Sequence, residues 1–77
     1  MENEQQKRDR FLKVAETRTN KIISMIRLLG NCANENNYLY SEKEVKQIFD
    51  AIEGELKTTK SKFYKKNNKK FKLGDDN

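Results

Sequence analysis

Proline is absent from the 77 residues and glycine occurs only at positions 30, 54 and 74, so very little in this chain can interrupt a helix. Two long segments carry helical periodicity. From about Glu4 to Leu29, the residues Phe11, Ala15, Arg18, Ile22, Met25 and Leu29 recur at alternating spacings of four and three, a heptad seam with one charged member. From about Glu42 to Lys65 or beyond, Val45, Phe49, Ile52, Leu56, Thr59 and Phe63 repeat the same spacing. Between them lies an asparagine-rich stretch whose side chains compete for local hydrogen bonds and tolerate turns. The pattern predicts a helix over about 4–29, a connection over 30–41, a second helix over about 42–65, and a basic tail over 66–77.

The boundaries have their own signals. Gly30, directly after Leu28 and Leu29, is expected to take a left-handed conformation and close the first helix. Ser41 and Glu44 stand at the spacing of a capping box at the start of the second. Tyr38, Leu39 and Tyr40 are expected to close one end of the bundle, with Tyr40 or Leu39 stapled onto the second helix. Cys32 reads as a small apolar residue tucked under the connection.

The two apolar stripes differ in width. At 100° per residue, Ile22, Ile23, Met25, Ile26, Leu28 and Leu29 spread over about 220° of the first helix, whereas Val45, Ile48, Phe49, Ile52, Leu56 and Phe63 span only about 100° of the second. The second helix can therefore be covered on one side, but the first must be covered on two. A lone two-helix hairpin of this size is marginal. The expected fold is all-α, an antiparallel two-helix hairpin that dimerises into a four-helix bundle, with Ile22, Ile23, Met25, Ile26, Leu28 and Leu29 as the self-association face. A monomer with a third short helix over 66–73, or a heterologous partner, is the alternative.

Charge is distributed unevenly. Of 17 Lys and Arg against 12 Asp and Glu, eight lysines and no acid fall between Lys57 and Lys72, so the rest of the chain is net acidic. Lysines beside aromatic rings suit phosphate contacts and base stacking. The candidate nucleic-acid-binding set is Lys57, Lys60, Lys62, Lys65, Lys66, Lys69 and Lys70, with Tyr64 and Phe71 for stacking and Ser61, Asn67 and Asn68 as further hydrogen-bonding groups. Arg10 and Lys13 join it from the polar side of the first helix, because an antiparallel hairpin brings that end beside the lysines. Arg18, on the seam, is expected to snorkel or pair with an acid. The connection is too long for a helix-turn-helix, so sequence-specific readout is not expected. The competing interpretations of the lysines are a solvated helix end and an acidic protein partner.

Other chemistry finds little support. There is no His, and the single Cys can neither close an internal disulfide nor complete a metal site. The carboxylates are scattered among cations at helical spacings, so neither an enzyme nor a cofactor is expected. No apolar run is long enough to span a membrane, and the polar, acidic opening residues are unlike a secretory leader. The expectation is a soluble cytoplasmic protein.

The blocks Arg10-Phe11-Leu12-Lys13-Val14-Ala15-Glu16-Thr17-Arg18-Thr19-Asn20, Leu28-Leu29-Gly30-Asn31-Cys32-Ala33-Asn34 and Tyr38-Leu39-Tyr40-Ser41-Glu42 are accompanied by Ile48-Phe49-Asp50-Ala51-Ile52-Glu53 and Leu56-Lys57-Thr58-Thr59-Lys60-Ser61-Lys62-Phe63. Together they resemble a group of short uncharacterised proteins of low-GC Gram-positive bacteria, encoded on plasmids and other mobile elements. The resemblance implies a setting among accessory genes of mobile DNA, and no assigned activity or site residues.

Overall fold

The computed structural model describes the backbone of residues 3–71 and the side chains of residues 3–64. Its described residues are all-helical, with two long helices, α1 (Glu4–Gly30) and α2 (Glu42–Phe71), and a short 3₁₀ turn over Asn31–Ala33. The chain divides into two units, Met1–Leu39 and Tyr40–Asn77.

In the first unit, α1 begins with a reciprocal cap. The Gln6 amide donates to Asn3 Oδ1 at 2.8 Å, and the Asn3 amide donates to Gln6 Oε1 at 3.1 Å. Two of the helix's orphan amides are thus satisfied by side chains. Further along, the Gln5 side chain donates to Asp9 at 2.8 Å, one turn away.

The end of α1 differs from expectation. Gly30 is the last residue of the helix, right-handed at φ −59° and ψ −27°, and no described residue has a positive φ. The helix closes by tightening. The Asn31 amide donates to the carbonyls of Leu28 and Leu29, and the Asn34 amide donates to Asn31 O at 3.3 Å, so shorter-range bonds satisfy the terminal carbonyls without a left-handed residue. A β-carbon at Gly30 meets nothing within 4 Å. Gly30→Ala is therefore expected to raise helix stability by about 0.5 to 1 kcal/mol, read as a higher Tm in circular dichroism. A lower Tm would mean that the position needs left-handed freedom.

The asparagines of the connection act locally. Asn34 Oδ1 accepts from the Asn36 amide at 3.0 Å, and Asn34 O accepts from the amides of Asn37 and Tyr38 at 3.1 and 3.0 Å. Cys32 is exposed rather than tucked away, because the 3₁₀ turn that carries it has no second layer over it in its own unit. Leu39 is 99% exposed and serves as no staple.

In the second unit, the expected capping box is present at α2. The Glu44 amide donates to Ser41 Oγ at 3.1 Å, and the Ser41 amide donates to the Glu44 carboxylate at 2.9 Å. Ser41→Ala is expected to cost about 1 kcal/mol of α2 stability, visible as a lower Tm with helix loss. Val45 holds the position that a Tyr40 staple would reach, and it is half-buried. Lys46 pairs with Asp50 at 2.8 Å, one turn along. The helix continues through 66–71, a stretch assigned to the tail by the sequence pattern; residues 72–77 lie outside the described residues. No proline or glycine follows Gly54 until Gly74, so nothing in the sequence stops the helix earlier.

No described residue is fully buried. The half-buried side chains are Val14, Ala15, Leu29, Val45 and Ile52, and four of these five are seam residues. Ile22, Ile23, Met25, Ile26 and Leu28 are exposed, Met25 by 63%. Among the described residues no helix is long and apolar enough to cross a membrane.

Candidate nucleic-acid interface

The charges of α2 segregate along its axis. From Glu42 to Glu55 five acids face two lysines, a net −3, whereas from Leu56 to Phe71 seven lysines stand without an acid, a net +7. Acids at the N-terminal end and cations at the C-terminal end both match the helix macrodipole, so the uneven distribution also favours the helix itself. At 1.5 Å per residue the lysine half is about 24 Å long.

Within that half, Lys57, Lys60 and Tyr64 lie at i, i+3 and i+7 and form one strip beside the apolar stripe. Lys62 lies on its other flank. All four side chains are exposed, Tyr64 by 56%. Among the described residues, none of Lys57, Lys60 and Lys62 has a carboxylate within ion-pairing distance. Ser61 contributes less than the sequence suggests. Its hydroxyl donates to the Thr58 carbonyl at 2.7 Å, which spends its only proton on the helix backbone. The backbone of Lys65, Lys66, Lys69, Lys70 and Phe71 continues the helix, and their side chains lie outside the described residues.

Arg10 and Lys13 lie at i, i+3 on α1, both exposed. They belong to the first unit and the lysine half to the second, so the strip Lys57, Lys60 and Tyr64 is the grouping that local structure makes. A shallow depression beside Thr17, Asn20, Lys21, Ser24 and Met25 is built on the face of α1 alone and has no opposing wall. Among the described residues no cluster of His, Cys, Asp or Glu could hold a metal ion.

The sequence pattern missed the cap at α1. Asn3 followed by Gln6 has the spacing of a capping box, and the signal was legible there. Comparison of the chain with protein-family models, curated proteins and solved structures returns no match.

Proposed function

We propose that this chain is a small, self-associating, basic helical protein that binds nucleic acid without regard to sequence, through phosphate contacts from the C-terminal half of α2. One observation carries this reading: seven lysines and no acid follow one another on a continuous stretch of helix. Ammonium groups so placed displace condensed counterions from a polyphosphate, and the ring of Tyr64 offers a stacking face to an unpaired base. The protein acts without a cofactor and is not an enzyme. Its resemblance to short proteins of plasmids and mobile elements supports a role as an accessory factor of mobile DNA, in the cytoplasm.

Self-association answers the width of the α1 stripe. An antiparallel hairpin covers one side of α1 with α2, and a second copy covers the other, giving a four-helix bundle with Ile22, Ile23, Met25, Ile26 and Leu28 inside. The same exposed face favours a second reading, a protein-interaction module that docks on a host or element-encoded protein. A salt titration separates them. Binding to duplexes of unrelated sequence should weaken together, with a log–log slope of about −6 if all seven lysines meet phosphates. A flat titration, or affinity confined to one sequence, would overturn the nucleic-acid reading.

A further inference from the structure

We infer that α2 pairs antiparallel with α2 of a second copy, the acidic half of each helix lying against the lysine half of the other. This rests on the self-association proposed above and specifies its geometry. The apolar stripe of α2 is exposed at Phe49, Leu56 and Phe63, and its seam residues are spaced symmetrically about position 54. In an antiparallel pair centred there, Val45 comes level with Phe63 of the other copy, Phe49 with Thr59, and Ile52 with Leu56. Every seam residue meets a seam residue, so packing alone permits this register.

Charge selects it. A parallel pair sets +7 beside +7, whereas the antiparallel pair sets each +7 half against a −3 half. On one flank, Glu44 falls about 3 Å along the axis from Lys62 of the second copy, and on the other Glu53 falls equally near its Lys57. The lysine halves then emerge at opposite ends of the pair, centred about 30 Å apart at 1.5 Å per residue. That separation is close to one duplex turn, about 34 Å, so each lysine half, with its own slope of about −6, can meet the same face of a duplex.

Cross-linking of introduced cysteines tests the pairing. The exposed native thiol is first removed by Cys32→Ser, and Glu44→Cys and Lys62→Cys are then introduced in separate chains, leaving the apolar seam intact. Mixed and treated with a bis-maleimide of about 10 Å span, which bridges flank positions on helices about 8–10 Å apart, the two variants are expected to yield mainly the 44-to-62 cross-linked dimer. Each variant alone is expected to yield little, since two copies of position 44 lie about 30 Å apart and two copies of position 62 about 24 Å apart. Self-cross-linking of the single variants, or a sample of dimer mass with no 44-to-62 product, would overturn the antiparallel pairing and leave self-association standing. A monomeric mass for the Cys32→Ser chain would overturn both.

Discussion

Replacing Lys57, Lys60, Lys62, Lys65, Lys66, Lys69 and Lys70 by Gln is expected to lower affinity for duplex DNA by about a thousandfold or more at 50 mM salt, equally for unrelated sequences. The size follows from counterion release. Seven phosphate contacts give a slope of about −6, which alone amounts to roughly three to four orders of magnitude between 50 and 200 mM salt. With the seven removed, Arg10 and Lys13 leave a slope of about −2. Gln keeps the length and the helix preference of Lys, so far-ultraviolet circular dichroism should show α2 nearly unchanged. Loss of binding to one sequence with others spared would assign the lysines to base readout and overturn the sequence-tolerant reading. Unchanged affinity would make the lysine half a solvated helix end.

The second large effect belongs to α1. The double substitution Ile22→Ala, Ile26→Ala should convert the proposed dimer to monomer at micromolar concentration. Each isoleucine contributes about 1.5 to 3 kcal/mol when fully buried, and most of that is lost on truncation to Ala. A twofold dimer contains both residues twice, so its dissociation constant should rise by at least about a thousandfold. Because Ala is the stronger helix former, the isolated helix gains propensity, and loss of association cannot be blamed on α1 itself. Asn20→Ala is a control, since Asn20 is exposed on α1 and lies opposite the proposed face; it should leave the mass unchanged. Equal loss in both variants would mean general destabilisation rather than a defined interface.

Local rules were read from the residues with good fidelity, because their causes are local. The Ser41–Glu44 cap needs only two side chains three residues apart, and both of its bonds are formed. Helical periodicity located α1 and α2, and the lack of proline and glycine explains why α2 continues through 66–71. The misses have equally local reasons. Gly30 after two leucines resembles a left-handed terminator, but glycine is also compatible with the right-handed helix, and the asparagine amides that follow satisfied the carbonyls in another way. For the site, the sequence places Lys57, Lys60 and Tyr64 on one helix, whereas the structure adds that Ser61 donates its proton to the Thr58 carbonyl. Gly54 lies opposite the apolar stripe and a β-carbon there meets nothing within 4 Å, so Gly54→Ala should raise the Tm of α2, by about 1 kcal/mol in stability.

All of this depends on the exposed isoleucines, methionine and leucines of α1 being covered by a second copy. The direct measurement is the molar mass of the unmodified chain by sedimentation equilibrium over a hundredfold range of concentration, in parallel with its helical content. A mass near twice the 9.2 kDa of one chain, falling toward the monomer on dilution together with loss of helix, is the expected result. A fully helical, cooperatively melting species of 9.2 kDa at every concentration would contradict it.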